Sequence, residues 1–217
     1  MEFNNKHGCT IIKQHIDKPM VVNNLLEINK RFLGGGMSQN YAAIYFFEHY
    51  IQAFDFEYIV EIGSQKGALS LYFANIAAAT EKFYFETYEI DKKACWLNRE
   101  AEGVGHWFEQ IEKISPYFKS IEANIFDNHT ICHIIDNIVQ FKKVLIICDG
   151  GDKPKEFSVF APLIKINDHI IVHDWNHEIY FNQISNICEQ QKIIIHKPFD
   201  QYCTQLNTLL MPFIKVS

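Results

Sequence analysis

A chain of 217 residues, 48% of them hydrophobic, is long enough to bury the core of one α/β domain and too short for two ordinary ones. Its formal charge of −6, with 20 Lys and Arg residues scattered along the chain, excludes the broad cationic footprint that a nucleic-acid backbone requires. The opening MEFNNKHGCT lacks a basic and then apolar leader pattern, and no apolar run approaches the roughly 20 residues that span a bilayer, so the expectation is a cytoplasmic protein with no membrane partner.

Residues 1–33 read as a polar N-terminal extension preceding one domain over 34–217. Within the extension, LLEINKRFL (25–33) spaces its apolar residues as a helix does, which suggests a lid or a homodimer element. Gly34, Gly35 and Gly36 form a flexible joint, and Ser38 is placed to cap a helix running through Ala42, Tyr45, Phe46, His49 and Tyr50. Strands are expected at about 57–62, 83–90, 117–122, 144–149 and 168–174, with helices between them. Runs such as VLIIC and HIIVH are apolar without strict alternation, as in a parallel sheet covered on both faces. The tail adds two strand-like runs, KIIIHKPF and TLLMPFIKV, joined by a polar stretch. Six cysteines stand apart at 9, 95, 132, 148, 188 and 203; with no C-x-x-C pair, reduced buried thiols are expected rather than a zinc site or disulfide framework.

The first strand ends in Glu61 and opens into a loop marked by Gly63 and Gly67, spaced E-x-G-x-x-x-G. A strand that turns sharply into a helix beside a ligand needs residues without Cβ, and the helix expected over Ala68 to Ala79 would aim its free N–H groups at that ligand. A plain structural turn is the alternative. The second strand ends in Glu89, followed by Asp91; an acid there can accept both hydroxyls of a ribose, or Asp91 can cap a helix from Lys92 to Glu100.

Two later strand ends, CDGGDK (148–153) and HDWNH (173–177), should converge on the same crevice. Asp149, His173 and Asp174 offer one imidazole and two carboxylates, a set suited to Mg²⁺ or Mn²⁺. Such an ion would lower the pKa of a substrate hydroxyl. The alternatives are metal-free proton transfer by His173 or Asp149, or structural roles in which Asp174 caps a helix from His177 to Gln190 and Asp152 makes a turn. Trp175, His177, Tyr180 and Phe181 are candidates for a substrate wall.

Four successive strand ends, EIGSQKG (61–67), TYEID (87–91), EANIFD (122–127) and IICDGG (146–151), together resemble the class I S-adenosylmethionine-dependent methyltransferases. The resemblance covers roughly residues 35 to 215. It implies a Rossmann-like, doubly wound α/β fold: a mostly parallel seven-stranded sheet with an antiparallel C-terminal hairpin and helices on both faces. It also implies S-adenosylmethionine as cofactor, with Glu61 and Gly63 at the methionine moiety, Ser64 and Gly67 completing the loop, Glu89 at the ribose, Asn124 and Ile125 at the adenine, and Asp149 beside the methyl group. Many family members carry Asp where Asn124 stands. Catechol-type O-methyltransferases match at Asp149 and Asp174, but follow the second Asp with Asn where this chain has Trp175, and their catalytic lysine falls at Asp152, one residue before Lys153. The adjacent His173 and Asp174 resemble more closely the cephalosporin-hydroxylase and rhamnosyl O-methyltransferase group. The implied activity is methyl transfer to a hydroxyl of a small molecule, a sugar or natural product, assisted by a divalent metal, with Asp149, His173 and Lys153 as candidate catalytic groups. A metal-dependent hydroxylase-like enzyme on the same fold, or a non-catalytic S-adenosylmethionine-binding domain, are the alternatives.

Overall fold

The central strands follow from the predominantly apolar runs. Tyr58–Ile62 (β3), Val144–Cys148 (β6) and His169–Val172 (β7) are buried at every position, as central parallel strands covered on both faces must be. The computed structural model describes residues 31–32, 35–36, 42–91 and 105–217. The lid or dimer element over 25–33, except its last described residues, the Ser38 cap and the helix expected after Asp91 therefore lie outside the described residues. Arg31–Phe32 (β1) and Gly35–Gly36 (β2) pair as a short antiparallel ladder, so two of the three glycines expected to form a flexible joint belong to regular structure.

Around β3, β6 and β7 the seven-stranded sheet has the order β5-β4-β3-β6-β7-β9-β8, with Tyr84–Glu89 (β4), Phe118–Glu122 (β5), Ile193–Ile195 (β8) and Met211–Lys215 (β9). β3 to β7 run parallel, and β9 lies antiparallel between β7 and β8. The chain moves outward from β3 through β4 to β5, then returns to the other side of β3 with β6. That reversal leaves a crevice at the carboxyl ends of β3 and β6, where ligands bind in open α/β sheets.

Strand alternation divides the core between the two faces. Ile59, Phe85, Leu145, Ile147 and Ile171 face a layer formed by the helices Ala42–Ala53 (α1), Ala68–Thr80 (α2) and Gly105–Ile114 (α3). Tyr58, Val60, Ile62, Ile146 and Val172 face Asn128–Gln140 (α4), Lys153–Phe160 (α5) and Phe181–Gln191 (α6). The strand expected over KIIIHKPF ends at Ile195, and its last residues join the polar stretch after them in a helix, Lys197–Gln205 (α7), with Pro198 in its first turn. It buries Phe199 and Cys203, four residues apart on one face. Phe199 packs on Tyr50 with ring centroids 4.7 Å apart, which seats α7 on α1.

The expected helix over 177–190 begins at Phe181 instead. Asp174 and Asn176 adopt left-handed conformations, φ 55° and 63°, and the Asp174 carbonyl accepts from the amides of His177 and Glu178, both at 2.9 Å. Asp174 is thus part of a tight turn rather than the cap of α6; the Tyr180 amide donates instead to Gln183 Oε1 at 2.7 Å. Cys148, Cys188 and Cys203 are buried and Cys132 is exposed, all four free. No helix among the described residues is long and apolar enough to cross a membrane.

Candidate active site

Beyond Ile62 the chain turns at Gly63 with φ 90°. A Cβ at this position would lie 2.5 Å from the Asp149 carbonyl oxygen and 2.7 Å from Gly150 Cα. The glycine is therefore demanded by the neighbouring strand end of β6, whose Asp149 amide donates to the Ile62 carbonyl at 3.0 Å. Gly67, at φ 78°, delivers the chain into α2.

The acidic residues that flank this loop have different surroundings. Alternation puts Glu61 on the α2 side of the sheet, where it is 1% exposed. Ser70 Oγ and Thr87 Oγ1 both donate to its Oε2, the latter at 2.6 Å. Burial pushes the Glu61 carboxyl up to about 8, against the pull of those two hydroxyls. Ser64 Oγ extends the network to Thr87 Oγ1 at 2.5 Å. Glu89 lies nearer the surface, and its two oxygens accept from the Gln65 amide at 2.7 Å and the Ile90 amide at 2.9 Å. It thereby ties the glycine loop to the end of β4. Ser70 and Thr87 carried no signal in the sequence, because their partnership with Glu61 arises only when α2 and β4 pack.

A cleft of about 380 Å³ opens over these strand ends. Gly63, Glu89, Asn124 and Ile125 line it, together with Tyr88 and Glu156. Asn124 Oδ1 accepts from the Phe126 amide at 3.0 Å, which fixes the turn after β5. Glu61, Ser64, Gly67 and Asp149 are not among the lining residues; the first two form the polar layer beneath the loop. A larger cleft, about 930 Å³, lies at the opposite ends of the strands, against Phe54, Phe56 and Phe83. It contains none of the carboxyl strand ends, so we place the site by chemistry and topology rather than by size.

At the ends of β6 and β7, Asp149, His173 and Asp174 each present a ligand atom, all within 4.8 Å of one another. His173 Nδ1 is 2.7 Å from Asp149 Oδ1 and 3.2 Å from Asp174 Oδ2. Burial disfavours charge on the imidazole, but the hydrogen bonds to the two carboxylates outweigh it and raise His173 to about 9. The hydrogen bond from His173 holds Asp174 down at about 2, against the effect of burial. Lys153, 4% exposed, is 3.1 Å from Asp174 Oδ2 and 2.6 Å from Glu178 Oε2, and donates to the Gly150 carbonyl at 2.9 Å. Burial opposes its charge, yet Glu178, Asp149 and Asp174 together keep its pKa above the usual lysine value. As placed, His173 and Lys153 are cations bonded to carboxylates, so neither is a ready proton acceptor. One imidazole and two carboxylates on a common centre fit a divalent ion, and Asp174 occupies a backbone conformation uncommon for a non-glycine residue.

The proposed substrate wall is divided. Trp175 is half-buried and packs edge-on against Phe213, centroids 5.6 Å apart, whereas Tyr180 and Phe181 are exposed beyond the turn. Two further groups stand at the site, Glu156 and Glu178, and neither carries a signal in the sequence.

No family model matches the sequence, and no curated protein does. Solved structures match in fold. CmcI in a structure with Mg and SAM aligns at TM-score 0.61 and 12% identity, over 86% of this chain and 76% of that one. A protein from Staphylococcus aureus, provisionally described as a caffeoyl-CoA O-methyltransferase, aligns at TM-score 0.53 and 16% identity over 97% and 100%. A protein from Klebsiella pneumoniae, provisionally described as an O-methyltransferase, aligns at 0.52 and 13% over 97% and 96%. At these identities the likeness defines the class of fold: the Rossmann-like sheet of the methyltransferases, closed by its antiparallel C-terminal strand.

Proposed function

We propose that this protein is an S-adenosylmethionine-dependent O-methyltransferase acting on a hydroxyl of a small molecule, with a divalent metal held by Asp149, His173 and Asp174. The observation that carries the reading is one loop with two faces: Gly150 to Asp152 line the cleft, while Asp149, at the start of the same loop, belongs to the metal-ligand cluster. Cofactor and acceptor would therefore meet across a single turn of chain. The metal in the CmcI structure named above lends support.

In this reading Glu89 accepts the ribose hydroxyls through lone pairs not used by the Gln65 and Ile90 amides. Asn124 and Ile125 border the adenine, and Gly63 lines the cleft. S-adenosylmethionine supplies the electrophilic methyl group. A divalent ion would lower the pKa of the acceptor hydroxyl. Asp149, His173 and Asp174 would hold that ion after His173 gives up its proton, and Lys153 would keep Asp174 and the 174–178 turn in place. Aligning donor and acceptor in this way accounts for most of what a methyl transfer needs.

A second reading, transfer without metal, is favoured by the pairing of His173 and Lys153 with the two aspartates, which balances their charge without an ion; Asp149 would then accept the proton. The deciding experiment is calorimetric titration of S-adenosylmethionine and S-adenosylhomocysteine with and without Mg²⁺ or Mn²⁺, followed by methyl transfer to a panel of sugars and phenols. Cofactor binding in wild type and in an Asp149→Ala, Asp174→Ala variant, with Mn²⁺ binding and turnover lost only in the variant, is expected. Turnover unaffected by chelator would select the metal-free reading, and a lack of cofactor binding under all conditions would remove both.

A further inference from the structure

We propose that Glu156 is the positioning residue of this site: it sets the loop from which Asp149 and the wall of the cofactor cleft are both built. What the loop holds rests on the methyltransferase reading; the geometry does not. Glu156 stands in the first turn of α5, is 1% exposed, and lines the cleft. Its Oε2 accepts from the Gly150 amide at 3.2 Å and its Oε1 from the Asp152 amide at 3.3 Å. Among the described residues, no backbone carbonyl accepts from either amide. A buried carboxylate thus takes the place that a strand or helix partner would otherwise fill.

The fit runs in both directions. A Cβ on Gly150 would run into the Glu156 carboxylate and approach Ile62 Cγ2 to 3.2 Å, whereas one on Gly151 would meet nothing within 4 Å. The glycine at 150 therefore makes room for Glu156. The Asp149 amide on the Ile62 carbonyl fixes the loop before the turn, Lys153 holds the Gly150 carbonyl, and Glu156 holds the Gly150 and Asp152 amides. The Asp149 carboxylate is held 2.7 Å from His173. Without Glu156 the Ile62 bond and the Lys153 bond to the Gly150 carbonyl remain, but the Gly150 and Asp152 amides lose their acceptor, which loosens the orientation of Asp149 toward His173 and Asp174. Groups that orient a metal ligand from behind typically contribute 10- to 100-fold to metal affinity.

The test uses Glu156→Ala and Glu156→Gln with three probes: backbone amide hydrogen exchange, Mn²⁺ binding and S-adenosylhomocysteine binding. In the Ala variant the Gly150 and Asp152 amides should exchange at least about tenfold faster while the interior amides of β3 and β6 keep their rates. Mn²⁺ affinity should fall about 10- to 100-fold. Gln retains the size and one carbonyl acceptor and should restore most of the affinity. Unchanged exchange at Gly150 and Asp152, or equal acceleration across β6, overturns the proposal, as does Mn²⁺ affinity within about twofold of wild type. If the Ala variant does not fold, the Gln variant decides: acceleration of one loop amide supports the role, and no change at either refutes it. A wild type that binds neither Mn²⁺ nor S-adenosylhomocysteine would end the methyltransferase reading, while the exchange measurement would still judge Glu156.

Discussion

Glu61 illustrates how one buried carboxyl can set the pH response of the site's foundation. Its pKa is raised from 4.5 to about 8 chiefly by burial, so the folded protein holds a proton there that the unfolded chain releases between those values. Stability from this group is full below about pH 4.5 and is lost as pH rises through about 8. Glu61→Gln removes the titration while retaining an acceptor for Ser70 or Thr87. Thermal melts at pH 5, 6.5 and 8 should show the variant gaining on wild type with each step upward; parallel curves would mean that Glu61 is ionised throughout. In the sequence, Glu61 stood out as a strand-end acid, as did Glu89, yet the two play opposite parts. Glu89 lines the cleft and Glu61 lies beneath it. What separates them is the side of the sheet each faces and the packing of Ser70 and Thr87, neither of which a linear pattern contains. Glu156 was illegible for a related reason. In DGGDKPKE it reads as an ordinary acid in a helix's first turn, and only the fold of the turn shows it reaching back to two loop amides.

At the scale of elements, the central strands were legible because a run such as VLIIC is too uniformly apolar to be anything but buried, and YIVEI is apolar but for Glu61. The helix α7 was not, since only Phe199 and Cys203 mark its buried face within KPFDQYCTQ. Those two residues nevertheless dock the element. Phe199 is 2% exposed and meets the rings of Phe46, Tyr50 and Phe54 at centroid distances of 6.1, 4.7 and 5.6 Å. Phe199→Ala should therefore cost about 3–5 kcal/mol in urea unfolding, the range for a buried Phe truncated in a packed core. A loss under about 1 kcal/mol would show that α7 contributes little to holding β8 and β9 in the sheet. The start of α6 was misjudged by four residues because left-handed backbone at Asp174 and Asn176 diverts the chain into a turn first. Asp and Asn tolerate that conformation better than most residues, but their presence alone does not require it.

For the molecule as a whole, the order of strands gathers chemistry from distant parts of the sequence onto one rim: the glycine loop after β3, Glu89 after β4, Asn124 after β5, Asp149 after β6, and His173 with Asp174 after β7. This convergence was legible in outline, because each strand end carried its own polar punctuation. The direct contact of two of those loops was not. Gly63 packs so close to the Asp149 and Gly150 backbone that no side chain fits between the two segments. In the proposed reading this close packing would couple the two ligands: if an occupied cofactor loop favours one placement of the Asp149 backbone, then metal would tighten cofactor by the same factor that cofactor tightens metal. Gly63→Ala, which forces the two segments apart and strains a left-handed residue, should destabilise the fold by more than about 1 kcal/mol. It should also abolish the mutual enhancement, measured as the ratio of S-adenosylhomocysteine affinities with and without Mn²⁺. A ratio of one in wild type would mean that the loops touch without communicating. A ratio well above one would make the mutual enhancement of metal and cofactor, in the proposed reading, a property of a single missing methyl group.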